Sequence, residues 1–106
     1  MGVVRIGAEH RGATVPARVG DTVELVLPET ATTGFQWELD EPGDALTVVT
    51  SELKPPEGAS PGAAGARHVV VRAVRPGTGR LSLRLRRSWE PPEKTEDTYA
   101  VDVDVT

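Results

Sequence analysis

Apolar and polar residues alternate with a period of two along most of this chain, and that periodicity decides its fold class. Leu81, Leu83 and Leu85 alternate with Ser82 and Arg84, while Tyr99, Val101, Val103 and Val105 alternate with Ala100, Asp102 and Asp104. Successive residues of a strand point to opposite faces, so each run reads as a strand with one buried and one wetted face. No window sustains the period of about 3.6 that marks an amphipathic helix, and the expected fold is all-β.

Further strands follow from the same pattern. Val23, Leu25 and Leu27 share one face of the run Thr22 to Leu27, and Phe35, Trp37 and Leu39 share one face of the next. Leu46 to Val49 reads as a short apolar strand and His68 to Val74 as a longer one. Ala13 to Ala17 is expected at a sheet edge, because Pro16 has no N–H to give to a ladder. Val19-Gly20-Asp21, Glu41-Pro42-Gly43-Asp44 and Arg75-Pro76-Gly77-Thr78-Gly79 hold the residues that favour tight reversals. About seven strands at short spacing predict a two-sheet antiparallel β-sandwich of immunoglobulin-like type.

A chain of 106 residues suits a single domain, here residues 1–106, with one modest core. Only Phe35, Trp37, Trp89 and Tyr99 are aromatic, so that core is expected to be mostly Val and Leu. With no cysteine, the disulfide of antibody domains is absent and Trp37 must pack without it. The same absence rules out a thiolate metal site and a cysteine nucleophile, and it fits a reducing compartment without requiring one.

The net charge of -4 argues against a general nucleic-acid binder, which needs a basic surface. Arg80, Arg84, Arg86 and Arg87 do cluster, and they read as an outward strand face paired with Asp102 and Asp104 across the sheet. Residues 1–20 hold no apolar stretch of signal-peptide length and no run reaches membrane length, so the chain is either cytoplasmic or has lost a leader. No Gly-x-Ser-x-Gly elbow, phosphate loop or zinc signature appears. His10 and His68 lack metal-ligand spacing, and Ser60, Ser82 and Ser88 have no evident base. Neither an enzyme, a cofactor nor a metal is expected.

What remains is a set of three loops. Thr30-Ala31-Thr32-Thr33-Gly34-Phe35-Gln36-Trp37 follows the first clear strand. Gly62-Ala63-Ala64-Gly65 closes a long Gly- and Pro-rich connection, and Arg87-Ser88-Trp89 opens another, with Glu90 to Asp97 beyond it. In a sandwich with this strand order all three connections emerge at one end. Long loops in a compact domain are often functional. Thr-Thr-Gly alone is an ordinary turn, and Trp89 could instead cap the end of the sandwich.

Taken together, the three motifs resemble those of the chagasin family of proteinaceous cysteine protease inhibitors. That family carries Asn-Pro-Thr-Thr-Gly-Phe or -Tyr followed by Trp in its first loop, a Gly-rich second loop and Arg-Pro-Trp in its third. Order and spacing agree over nearly the whole chain. Thr30 and Ala31 stand where the family has Asn-Pro, and Ser88 stands where it has Pro. Two fewer prolines leave fewer fixed φ angles, which implies less preorganised loops and lower affinity.

The resemblance implies a reversible block of papain-like cysteine proteases by a monomer, with the first loop at the catalytic cysteine and the other two gripping the cleft. The protease-binding set is then Thr30, Ala31, Thr32, Thr33, Gly34, Phe35, Gly62, Ala63, Ala64, Gly65, Arg87, Ser88 and Trp89. Thr32 and Thr33 are small, polar and stiff, as a narrow cleft requires. Gly34 permits a turn closed to other residues. Phe35 and Trp37 are expected to anchor the outgoing strand in the core. Trp89 and Arg87 belong to the types enriched at binding hot spots. The competing reading is an immunoglobulin-like interaction or adhesion module without inhibitory activity, since one sandwich hosts many functions.

Overall fold

The computed structural model describes residues 2–29, 33–54 and 65–106. Among the described residues eight strands form two sheets: β1 (Val3–Ile6), β2 (Thr14–Ala17), β3 (Thr22–Glu29), β4 (Gln36–Leu39), β5 (Leu46–Lys54), β6 (Gly65–Ala73), β7 (Gly77–Arg86) and β8 (Asp97–Val105). One sheet has the order β1-β3-β6-β5 and the other β2-β8-β7-β4. The inward side chains of the two sheets form one core, with Val23, Leu25, Leu27, Val69 and Val71 facing Leu81, Leu83, Tyr99, Val101 and Val103. All ten are essentially sealed from water. The core is mostly aliphatic, as the scarcity of aromatic residues requires, with Trp37 and Tyr99 as its aromatic members.

The pairs β3–β6, β5–β6, β4–β7 and β7–β8 are antiparallel, whereas one edge of each sheet is a parallel pair. β1 runs parallel to β3, with Val3 beside Thr22, and β2 runs parallel to β8, with Thr14 beside Asp102. The N-terminal segment therefore spans both sheets, with β1 on one and β2 on the other. Its crossing is held by the Tyr99 hydroxyl, which donates to the Gly7 carbonyl at 2.8 Å, and by the Gly12 amide on the Ala100 carbonyl at 2.7 Å. Parallel neighbours need a crossover rather than a hairpin, and this segment supplies one. Pro16 lies on the edge strand β2, as its missing N–H demands.

Two expectations need correcting in detail. β5 extends to Lys54, well beyond the expected Leu46 to Val49, because an irregularity between Val48 and Thr50 breaks the alternation that marks a strand. Among the clustered arginines, Arg80 pairs with Asp102 at 2.8 Å as expected, but Arg84 reaches Asp40 and Arg86 reaches Glu38, both at 3.1 Å. Asp104 lies opposite Thr78 rather than an arginine, and the acids of Arg84 and Arg86 come from β4 and the residue after it.

Candidate functional site

β3 and β5 both run antiparallel to β6, so they point the same way and end side by side at Glu29 and Lys54. β6 begins between them, with Gly65 opposite Glu29 and Ala66 opposite Lys54. Gln36, the first residue of β4, pairs with Arg86, the last residue of β7. The three connections 30–35, 55–64 and 87–96 consequently leave the sandwich at one end. Thr30, Ala31, Thr32, Gly62, Ala63 and Ala64 lie outside the described residues. Thr33, Gly34, Phe35, Gly65, Arg87, Ser88 and Trp89 carry the described part of the site.

The first and third loops are built against each other. Gly34 has φ of +78°, the left-handed region that a Cβ disfavours. The indole of Trp89 lies against the face of Gly34 where a side chain would project: its Cζ2 and Cζ3 stand 3.2 and 3.3 Å from the ideal Cβ position, and Cη2 is closer still. Gly34 is thus required twice, for its backbone angle and for the aromatic ring on its surface. Trp89 remains 71% exposed, so most of its apolar ring faces solvent at the end of the sandwich.

Arg87 connects the same elements. Its Nε donates to the Thr33 carbonyl at 3.0 Å, and its guanidinium carbon lies 4.2 Å from the centroid of the Phe35 ring and 6.0 Å from that of Trp89. A further ion pair runs from its Nη1 to Glu90 Oε1 at 3.6 Å. The stacked cation and the hydrogen bond each contribute on the order of 0.5–1 kcal/mol. Much of the fork of Arg87 is thus engaged inside the protein, bracing the loops. Phe35 departs from expectation: it is half-exposed beneath Arg87, and the outgoing strand is anchored by Trp37 in the core with Leu39 packed against it.

Beyond Arg87 the chain turns without proline, through the Glu90 amide on the Arg87 carbonyl at 3.1 Å. Arg86 holds this turn from below by donating to the Glu90 carbonyl while pairing with Glu38. Ser88 and Trp89 occupy its exposed tip. A hydrogen-bonded turn here supplies order that the family's proline would otherwise provide.

Beneath the first loop lies a group that the motif search missed. Glu29 is buried, with its carboxylate accepting from the Trp37 amide at 2.7 Å and from Arg67 at 3.2 and 2.8 Å. Trp37 adds an indole N–H donated to the Pro28 carbonyl at 3.0 Å. Gly65 sits beside this pair, where a Cβ would stand 2.6 Å from the Lys54 carbonyl oxygen. That close approach gives the glycine a structural reason. The signal for Glu29 was present in the sequence, since it occupies the inward position of the series Val23, Leu25, Leu27.

The family profile described as "Chagasin family peptidase inhibitor I42" matches residues 16–103. Chagasin of Trypanosoma cruzi is 30% identical over 102 residues, covering 92% of this chain and 93% of that protein. Among solved structures, the cysteine protease inhibitor EhICP2 of Entamoeba histolytica superposes with a TM-score of 0.86 at 18% identity, covering 99% of this chain and 96% of its own. PbICP-C, solved in complex with falcipain-2, superposes with a TM-score of 0.71 at 17% identity over 100% of both chains. The profile spans most of the chain and chagasin aligns with nearly all of it: this protein belongs to the chagasin family of peptidase inhibitors.

Proposed function

We propose that this chain is a reversible inhibitor of papain-like cysteine proteases that fills the active-site cleft with the three loops at one end of its sandwich. The observation that carries this reading is the contact of Trp89 with Gly34. It joins an exposed aromatic ring of the third loop to the turn of the first, so two prongs form one edge before any partner arrives. Prepaying that order raises affinity, because less conformational freedom remains to be lost on binding.

An inhibitor of this kind must also avoid becoming a substrate. A substrate carbonyl places its oxygen among donors that stabilise the developing oxyanion. The Thr33 carbonyl oxygen is instead directed at Arg87 within the inhibitor. The Thr33–Gly34 peptide is thus not offered as a scissile bond, and the positive φ of Gly34 carries the chain away from the extended shape of a bound substrate. Thr30, Ala31 and Thr32 complete the first prong. Gly62, Ala63, Ala64 and Gly65 form the second, where small residues let a protease backbone come close. Membership of an inhibitor family and PbICP-C in complex with falcipain-2 support this reading over a non-inhibitory adhesion module.

Titration of this protein into papain with a fluorogenic peptide tests the proposal, with trypsin as the control. Saturable loss of papain activity that is recovered on dilution, with trypsin unaffected and the inhibitor chain uncut, is the expected result. Undiminished papain activity at high micromolar protein would refute it.

A further inference from the structure

We propose that the buried Glu29–Arg67 pair is a positioning lock that holds the stems of the first and second loops in a fixed relation, so that inhibition depends on two residues that need not touch the protease. This inference rests on the inhibitory reading above and adds to it. The Glu29 side chain has no exposed surface and that of Arg67 has 13%. Glu29 ends β3 in one sheet, and Trp37 lies in β4 of the other. The hydrogen bond from the Trp37 amide to Glu29 Oε1 therefore ties the two stems of the first loop across the sandwich. Arg67 is the third residue of β6, just past the second loop, and it grips both carboxylate oxygens of Glu29. One carboxylate thus connects both ends of one loop with the returning end of another.

Stability alone does not explain such a pair. Taking two charges out of water is costly, and apolar residues of similar volume commonly match or exceed a buried ion pair in stability. What an apolar pair lacks is direction. Two carboxylate oxygens and a planar fork fix distance and angle together, which sliding hydrocarbon chains do not. The lock accordingly sets where the loop stems stand, and its effect falls on affinity more than on folding.

The test compares Glu29→Leu/Arg67→Met and Glu29→Gln with the parent, and uses Val103→Ala as a control. Val103 is buried toward the far end of β8, so its truncation lowers the melting temperature without touching the loops. Two readouts are taken: the inhibition constant against papain, and amide hydrogen exchange of Gly34 to Trp37 and Gly65 to Arg67 in the free protein. The lock predicts that both Glu29 variants weaken inhibition on the order of tenfold and speed exchange at those amides. Val103→Ala is predicted to leave both at the parent's values despite its lower melting temperature. The proposal is overturned if the Glu29 variants keep the parent's exchange and inhibition, or if Val103→Ala changes both as much as they do. Should the parent fail to inhibit papain, the inhibitory reading falls while the exchange data still decide whether the pair orders the loops.

Discussion

Gly34→Ala separates two consequences of one added methyl group. The first is backbone strain: a Cβ in the left-handed region costs about 1–2 kcal/mol, offset by about 0.4–1 kcal/mol because alanine also restricts the unfolded chain. The net loss is below about 2 kcal/mol, a shift of several degrees in melting temperature for a domain of this size. The second is collision with the Trp89 indole, whose ring atoms already stand 3.2 and 3.3 Å from the Cβ position. Since Trp89 is 71% exposed, it can swing aside with little further cost to the fold, but it then leaves its place on the binding edge. Losing a hot-spot tryptophan costs about 2 kcal/mol or more, which is roughly a 30-fold weaker inhibition constant. Gly43→Ala supplies the control, because Gly43 has φ of +90° and nothing within 4 Å of its Cβ position. Both variants should melt lower by similar amounts, and only Gly34→Ala should inhibit papain poorly in a fluorogenic assay. Equal inhibition by the two variants would refute the claim that the Trp89–Gly34 contact sets the binding edge.

Trp89→Ala should leave the melting temperature nearly unchanged, as expected at an exposed position, yet weaken inhibition about 30-fold. Adding Gly34→Ala to it should bring little further loss of inhibition, and fully additive losses would show that the two residues act independently. Arg87→Lys keeps the charge but loses the donor to Thr33 and the flat stack on Phe35, so inhibition should weaken roughly 5- to 30-fold, with faster amide exchange at Gly34 and Phe35. Acid stability should report Asp21, whose carboxylate accepts from the Arg18 and Gly2 amides, and those bonds hold its pKa below the ordinary 3.8. A depressed folded pKa means the stabilisation is complete above the ordinary value and lost as pH falls through the folded one. Asp21→Asn should therefore melt below the parent at neutral pH and converge with it as the pH falls through the lowered pKa of the folded state, as followed by circular dichroism.

Legibility in the sequence followed the strength of the alternation. The strands through Leu25, Leu83 and Val103 have one clean apolar face, so their existence and sidedness could be read directly, whereas the consecutive Val69, Val70 and Val71 marked a strand without its sidedness. The strand at Val3–Ile6 escaped because Val3, Val4 and Ile6 show no clean period of two. Its parallel pairing with β3 depends on a crossover that local pattern does not encode. The end of β5 was hidden by its irregularity between Val48 and Thr50. At the site, the motifs located the loops and the exposed Trp89, whereas side-chain partners depend on packing. Phe35 was read as a core residue, yet it is half-exposed and stacks under the Arg87 guanidinium. Glu29 was passed over because a lone acidic residue at a strand end ordinarily faces water, and only its inward register gave it away.

The reach of the three loops into a protease cleft is tested most directly by the reactivity of the protease's own nucleophile. Papain is treated with iodoacetamide while this protein is titrated in, and alkylation of the catalytic cysteine is followed by mass spectrometry. Steric occupation of the cleft predicts that alkylation slows in proportion to the fraction of papain bound, and that Trp89→Ala shifts the protection to higher concentration. A cysteine alkylated at the uninhibited rate in papain saturated with this protein would contradict the account, because it would place the bound inhibitor away from the active site.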